Sequence, residues 1–476
     1  MAELRRRRDE VTDADLVELR VDTVEDPSAA AALEGRRTPV IFTCRASWEG
    51  GHFKGSEEER RRLLSDAQRL GAEYVDVEWK ADFHELFEAR RGQGIVASMH
   101  DFQGVPSDLT ERAAAMRATG AEVIKLSVTA RRLSDTLALL PLNDKREGAV
   151  VLLAMGDAGI ASRVLAARFG SAWTYAGEGV APGQVSAPRM YQELGFARVK
   201  ASTAVYGVVG RPVMHSLSPA MHNAAFAAAG LDAVYLPLQA VDFDDFLVFA
   251  KAMSVDGASV TAPFKVAALE RAVASDELAS RIGAANTLRR CAGGWAASNT
   301  DVAGFLAPLE SRVSLAGRRA TILGAGGAAR AASEALRSVG ARVAIAARSR
   351  DRAARVAGVS GASVTDFPPP AGSWDVLVNA TPVGTVPAIE ESPLPHGPFS
   401  GALVYDLVYN PPETRLMRDA AAAGCHVIGG LEMLVAQAER QFAAWTGRPP
   451  AAGVMWEAAS RALQFHDIST PHTLGT

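Results

Sequence analysis

Short apolar runs alternate with longer helix-length segments over the first two hundred residues. Seven runs have the length and β-branched content of strands: residues 16–21, 40–44, 74–78, 95–98, 123–126, 150–154 and 172–175. Between them lie helical segments, among them 57–70, 109–119, 134–140 and 160–169. Strands that alternate with helices predict a parallel sheet, and the regularity here predicts a (β/α) TIM-type barrel. Such a barrel closes with about eight strands, so the pattern is one short.

A second pattern begins after residue 204. An apolar run at 205–210 is followed by Ser216-Leu217-Ser218-Pro219 and a helix to Ala229, stopped by Gly230. Serine before proline predicts Ser218 as the N-cap of that helix. Further on, the strand-like run 320–323 ends in Gly324-Ala325-Gly326-Gly327-Ala328-Ala329. A helical pattern over 328–339 follows, ended by Gly340, and a second run, 343–347, leads into Arg348-Ser349. Strand, glycine turn, helix and strand make the unit that binds dinucleotides. Gly324 permits the tight turn, Gly326 lets backbone approach a pyrophosphate at the helix N-terminus, and Ala329 stands at the third small position. A glycine-rich turn alone reads equally as a surface loop; the elements around it carry the prediction. Sites for NAD place an acid at the tip of the second strand, whereas a cation there suits a 2′-phosphate, so Arg348 predicts NADP.

At 476 residues the chain is long enough for two or three domains. A net charge of −4 does not favour nucleic acid as a partner. Cys44, Cys291 and Cys425 lie far apart, which predicts neither a disulfide framework nor a zinc site and fits a reducing compartment. No apolar run approaches the roughly 18 residues of a membrane span. The arginine runs at 5–8 and within 57–62 are interleaved with acids, which predicts solvated helix faces rather than a targeting segment. We therefore expect a cytoplasmic protein, a monomer or homodimer, with no metal.

In a barrel the polar residues at strand C-termini line the active site. That rule selects Glu18 and Arg20, Arg45 and Glu49, Glu78, His100 and Asp101, Lys125, and Ser162 with Arg163. Lys125 sits inside Val123-Ile124-Lys125-Leu126, where burial would favour a neutral amine able to attack a carbonyl. The alternative is a lysine reaching solvent from a strand end. His100 could exchange protons near neutral pH, and arginines converging on one rim would suit a carboxylate.

These residues stand in recognisable blocks. Glu18-Leu19-Arg20-Val21-Asp22, Phe42-Thr43-Cys44-Arg45 with Glu49-Gly50-Gly51, Ser98-Met99-His100-Asp101-Phe102, Lys125, Met155-Gly156 with Ser162-Arg163, and Ala181-Pro182-Gly183-Gln184 resemble type I 3-dehydroquinate dehydratase. The resemblance covers residues 10–192 and implies Lys125 as the Schiff-base lysine and His100 as the general acid/base. It implies Glu18, Arg20, Arg45, Glu49, Arg163 and Gln184 around the hydroxylated, carboxylated ring. The family's opening strand has no counterpart before Glu18, and Val180 stands where the family has serine. Either the true start lies upstream of Met1 or this half is impaired.

In the second pattern, Ser259-Val260-Thr261-Ala262-Pro263-Phe264-Lys265, Ala285-Asn286-Thr287 and Asn299-Thr300-Asp301 bring a lysine and an aspartate that could form a proton-exchanging pair or an ordinary ion pair. With Asn379-Ala380-Thr381, Asp406-Leu407-Val408-Tyr409 and Gly430-Leu431-Glu432-Met433-Leu434-Val435-Ala436-Gln437, these blocks resemble shikimate dehydrogenase over residues 205–445. The resemblance implies Lys265 and Asp301 as the catalytic pair. It also implies Ser216, Ser218, Thr261, Asn286, Tyr409 and Gln437 at the substrate. Gly324, Ala325, Gly326, Gly327, Ala328, Arg348, Ser349, Thr381, Leu407 and Gly430 would lie at the cofactor. In this order the halves resemble the bifunctional fusion known from plants. The expected domains are a barrel at 1–198, a substrate lobe at 204–301, an NADP-binding Rossmann domain at 302–429, returning helices at 430–465 and a loose tail at 466–476. Rival readings are a shikimate or quinate dehydrogenase with an impaired barrel, and a non-catalytic binding protein on the same folds.

Overall fold

The computed structural model describes residues 1–143, 148–177, 183–395, 397 and 399–465. Val180, the Ala181-Pro182 step and the expected loose tail lie outside the described residues. The chain forms two compact units. The first comprises Met1–Tyr191, Phe196–Thr203 and Leu238–Met253; the second comprises Gln192–Gly195, Ala204–Pro237 and Ser254–Thr476.

The first unit is built on six parallel strands in sequential order: β1 (Val17–Arg20), β2 (Val40–Thr43), β3 (Tyr74–Glu78), β4 (Ile95–Asp101), β5 (Val123–Thr129) and β6 (Ala149–Met155). Sequential parallel order with intervening helices is the wall of a TIM-type barrel. The seventh expected strand, 172–175, is not formed. Among the described residues it leaves one parallel bridge, Val150 to Ser171. The ladder stops because the Ser171 hydroxyl accepts the Leu152 N–H at 2.9 Å, a donor that a further backbone carbonyl would otherwise have taken. Trp173 and Tyr175 nevertheless pack on Val96, Val123, Val151 and Leu153, filling the concave face.

Two arginines expected on solvated faces are buried instead. Arg8, on the helix Ala2–Glu10, donates to Ala32 O and Glu34 O. Arg60, on the helix Glu57–Arg69, is fully buried. A mixed charge run fixes only that most of its members are solvated; one residue per turn can face inward if its fork finds acceptors. Leu238–Met253 belongs to the first unit because Asp245, itself buried, accepts the Leu133 and Ser134 N–H groups, both at 2.9 Å. It thereby caps the 3₁₀ turn Leu133–Leu142 that replaces the expected α-helix at 134–140.

The second unit carries two sheets. One contains β7 (Ala204–Gly210), β8 (Ala233–Gln239), β9 (Val255–Val260), β10 (Ala274–Ser275), β11 (Thr287–Cys291) and β12 (Gly294–Ser298) in the order β10-β12-β11-β9-β7-β8, with β11 antiparallel to both neighbours. The other contains β13 (Arg319–Leu323), β14 (Arg342–Ala346), β15 (Ser363–Thr365), β16 (Val376–Asn379), β17 (Leu403–Asp406) and β18 (His426–Ile428). Its order, β15-β14-β13-β16-β17-β18, is that of a doubly wound dinucleotide-binding sheet. Ile322, Ile345, Val376 and Val378 are buried within it, as strands covered on both faces require. The helix Gly327–Ser338 packs down on this sheet through Ala329, Ala332, Ala335 and Leu336. The long helix Gly430–Thr446 returns against Asp301–Glu310. Their close approach depends on Gly304, where an added Cβ would stand 2.6 Å from that of Gln437.

Candidate active sites

In the first unit, Lys125 projects from β5 into a pocket lined by Glu18, Arg20, Arg45, Glu49, His100, Arg163, Tyr175 and Gln184, with Phe102 at its mouth. All eight residues expected at a dehydratase site are therefore brought together. Glu78, Asp101 and Ser162, chosen by the strand-end rule, are not among its lining. Asp101 closes the following turn by accepting the Gln103 and Gly104 N–H groups, and Ser162 accepts the Ala154 N–H.

Lys125 Nζ donates to Asp76 Oδ2 at 3.1 Å, lies 3.6 Å from Glu18 Oε1 and sits over the Tyr175 ring at 4.5 Å. Burial alone would favour the neutral amine, as expected from sequence, but the Asp76 and Glu18 carboxylates outweigh it and hold the ammonium well above its ordinary pKa. The expectation of an amine kept neutral by desolvation is thus corrected: the resting lysine is charged. Asp76 was not anticipated because β3 alternates polar and apolar residues as a half-exposed strand would. Its signal was parity, since Asp76 and Glu78 share the inward face of β3.

Arg45 is fully engaged, donating to Asp76 Oδ1 and Glu78 Oε1, both at 2.9 Å, and to Ser98 Oγ at 2.7 Å. Arg20 forms a two-point pair with Asp22. Arg163 differs from both. Its Nε has no hydrogen-bond partner among the described residues, and burial pushes its pKa down to about 10. A buried guanidinium with an open donor at a pocket wall is a place for an anion.

Burial, reinforced by the cations Arg45 and Lys125, holds His100 well below the usual histidine range, so the imidazole is neutral. Its Nδ1 lies 3.0 Å from Glu49 Oε1. Burial raises Glu49 itself to about 8 against the opposing pull of Arg45.

In the second unit, Ser216, Ser218, Thr261, Lys265, Asn286, Asp301, Tyr409 and Gln437 line one pocket with Ala328, Leu407 and Gly430. Lys265 opens the helix Lys265–Glu270 after β9, Asp301 opens Asp301–Glu310, and Nζ donates to Asp301 Oδ2 at 2.6 Å. Asn286 Nδ2 donates to the other oxygen of Asp301 at 2.7 Å, so its amide orients the acid. The Ser218 side chain makes no capping bond, contrary to expectation: the helix Ser218–Ala228 is entered from Leu217. Instead Ser216 Oγ accepts the Ser218 N–H at 3.2 Å, leaving the Ser218 hydroxyl on the pocket side. Sequence reasoning also missed a buried hydrogen-bonded chain that reaches the pocket wall through Ser259 and Gln441. Tyr235 donates to Ser259 at 2.6 Å, and Ser259 to Gln441 at 2.7 Å. Gln441 lies one helical turn beyond Gln437, which was its only signal.

The glycine turn lies at the C-terminal end of β13. Gly324 has φ +111, and an added Cβ would meet Ala380 O at 3.0 Å; Cβ atoms at Gly326 and Gly327 would meet nothing within 4 Å. An open cradle at the start of a twelve-residue helix fits a pyrophosphate. Arg348, just past β14, is exposed with no ion-pair partner among the described residues, which fits a 2′-phosphate. Ser349 caps the helix Arg350–Ser360, and Thr381 is held in a turn by Asn379. Of the residues expected at the cofactor, Ala328, Leu407 and Gly430 reach the substrate pocket.

A charged lysine in a dehydratase-like barrel pocket and a lysine–aspartate pair facing a dinucleotide cradle define a two-site enzyme, part lyase and part oxidoreductase. Family models agree for each stretch: type I 3-dehydroquinase matches residues 1–200, the shikimate dehydrogenase substrate binding domain matches 208–288, and the shikimate 5′-dehydrogenase C-terminal domain matches 430–459. A bifunctional 3-dehydroquinate dehydratase/shikimate dehydrogenase, chloroplastic, from Arabidopsis thaliana is 34% identical over 94% of this chain and 80% of its own length. A shikimate dehydrogenase (NADP(+)) from Moorella thermoacetica is 44% identical over 54% of this chain and 93% of its own. The crystal structure of shikimate 5-dehydrogenase from Thermus thermophilus in complex with NADP(H) and shikimate matches at 38% identity with a TM-score of 0.50, covering 54% of this chain and 99% of that one. The chain belongs to the family of bifunctional 3-dehydroquinate dehydratase/shikimate dehydrogenases.

Proposed function

We propose that the first unit removes water from 3-dehydroquinate through a Schiff base on Lys125, and that the second reduces the resulting 3-dehydroshikimate to shikimate with NADPH. The observation that carries this reading is the set around Lys125: two carboxylates at its nitrogen, an open Arg163 for the substrate carboxylate, and a neutral His100 facing the same pocket.

Glu18, partly exposed at 3.6 Å, is placed to take the ammonium proton as the substrate carbonyl arrives. The freed amine adds to the ketone carbon, water leaves, and the iminium draws electrons from the adjacent carbon. His100 takes the proton released there and returns it to the departing β-hydroxyl, and hydrolysis frees Lys125. Glu49 Oε1 already accepts the His100 backbone N–H, so it also accepts from Nδ1–H and leaves the Nε2 lone pair for substrate.

In the second unit, Lys265 delivers a proton to the carbonyl oxygen while Asp301, fixed by Asn286, keeps the ammonium aimed. Ser216 and Ser218 hold the carboxylate, and Thr261, Tyr409 and Gln437 hold the ring. When bound, NADPH supplies the hydride; the turn 324–328, Arg348, Ser349 and Thr381 are the residues that would hold it. Both catalytic lysines speak against a purely binding role.

We assign the dehydrogenase as substrate lobe 204–301, cofactor domain 302–429 and returning helices 430–465. We propose a monomer or homodimer. Three free cysteines favour a reducing compartment, and we place the protein in the cytoplasm. No helix among the described residues is long and apolar enough to cross a membrane.

The test is a coupled assay of the purified chain. Given 3-dehydroquinate and NADPH, it should oxidise NADPH and accumulate shikimate. Turnover with 3-dehydroshikimate but not with 3-dehydroquinate would leave a dehydrogenase with an impaired barrel.

A further inference from the structure

Arg60 lies outside the dehydratase pocket, yet its guanidinium ends a buried chain of charges that leads to Lys125. Nη2 meets Glu57 Oε2 at 2.6 Å, and Nη1 meets Glu78 Oε2 at 2.5 Å and Cys44 O at 3.3 Å. Its carbon is 4.6 Å from the Phe83 ring centre. The other oxygen of Glu78 accepts from Arg45 Nη1 and from the Ala46 N–H. Arg45 Nη2 reaches Asp76 Oδ1, and Asp76 Oδ2 receives Lys125. Arg60, Glu78 and Asp76 are fully buried, and Arg45 and Lys125 nearly so.

Within this chain the charges alternate: Arg60, Glu78, Arg45, Asp76, Lys125. Each buried acid is held between two cations, so neither bears on one cation alone. We infer that Arg60 is a positioning residue for the dehydratase reaction: by occupying Glu78 it leaves Arg45 to Asp76 and sets the charge balance that Lys125 meets. This rests on the proposed role of Lys125.

Without the cation on helix Glu57–Arg69, Glu78 turns its unmet charge on Arg45, which already serves Asp76 and Ser98. Asp76 then depends more on Lys125, and an ammonium more tightly held attacks a carbonyl more slowly at a given pH. The groups facing Lys125 are Asp76 from β3, Glu18 from β1, Arg45 from the turn after β2, His100 from β4 and Tyr175. Of these, Arg45 and Asp76 are reached through Glu78, and the others lie off the chain. Arg60 touches none of the pocket, so the effect falls on reactivity and not on substrate contact.

The test uses the full-length chain, whose second activity reports on its integrity. Arg60→Gln should lower dehydratase kcat/KM about tenfold or more, chiefly in kcat. It should also move the pH profile of borohydride trapping at Lys125 by 3-dehydroquinate upward by about one pH unit, with shikimate dehydrogenase turnover unchanged. Arg60→Lys, which keeps the cation, should recover most of the loss. Glu57→Gln removes one negative charge at a half-exposed position and should move the trapping profile the opposite way, to lower pH. A purely structural role would not reverse sign. If Arg60→Gln fails to fold, the Glu57→Gln shift decides alone. Trapping profiles that superimpose on wild type, or an Arg60→Lys chain as impaired as Arg60→Gln, would overturn the inference. Absence of trapping in the wild-type chain would instead refute the Schiff-base reading itself.

Discussion

Glu49 Oε1 accepts the His100 backbone N–H and lies 3.0 Å from Nδ1 of the same residue's imidazole. One oxygen thus fixes both the main chain and the ring, and it sets which nitrogen faces the substrate. Burial raises the acid to about 8 while burial and nearby cations depress the base, so the pair enters neutral pH with the imidazole unprotonated.

Glu49→Ala, which removes the accepting oxygen, should therefore cost the dehydratase about tenfold to a hundredfold in kcat, and Glu49→Gln, which keeps a neutral acceptor there, should cost much less. Removing the imidazole with His100→Ala should cost more, about 10²–10⁴. Steady-state kinetics on 3-dehydroquinate separates the two.

The same pair predicts a sign in the pH dependence of stability. Glu49 takes up its proton near 4.5 when unfolded and near 8 when folded, so the folded state binds the extra proton between those values. Its contribution is complete below 4.5 and is lost as pH rises through 8, at no more than about 1.4 kcal/mol per pH unit. Below the ordinary histidine value of 6.5, His100 acts oppositely, since the unfolded chain binds the proton. Denaturant titrations of Glu49→Gln against wild type should show the variant gaining relative stability from pH 4.5 to 8. A constant difference would contradict the raised acid.

Lys265→Ala should reduce shikimate-dependent NADPH formation by about three orders of magnitude, and Asp301→Asn by about two, because the 2.6 Å pair both supplies and aims the proton. Dehydratase turnover of the same chains should be unchanged. A loss below tenfold for Lys265→Ala would remove it from the chemistry.

Arg348→Asp should reverse the cofactor preference, raising the KM for NADPH about tenfold to a hundredfold and improving NADH. The exposed guanidinium has no competing acid among the described residues to neutralise it. An unchanged preference would show that the 2′-phosphate is read elsewhere.

The sequence made most of both sites legible because their residues sit at strand ends and helix starts, where pattern locates them. His100, Lys265 and Asp301 are visible in that way, and Lys125, inside β5, stands out as the cation within an apolar run. Asp76 is passed over because β3 alternates polar and apolar residues as a half-exposed strand would. Lys125 was correctly placed but wrongly charged, because desolvation was counted without the acid opposite. Arg8 and Arg60 were hidden by their neighbours: among several charges in a row, periodicity does not say which one finds buried acceptors. The seventh strand was overdrawn for a similar reason. Its apolar run packs as a strand would, but the Ser171 hydroxyl takes the Leu152 N–H and ends the ladder. Ser218 reads as a cap from its proline, whereas Ser216 makes the local bond and the Ser218 side chain, on the pocket wall, pairs with Tyr235.

Lys125 as the covalent centre is the claim on which the dehydratase half depends. Borohydride added during turnover of 3-dehydroquinate, followed by peptide mass spectrometry, tests it directly. The account predicts a stable reduced adduct on the peptide containing Lys125, with dehydratase activity lost and shikimate dehydrogenase activity retained. Continued dehydratase turnover with Lys125 unmodified, or an adduct confined to another lysine, would contradict it.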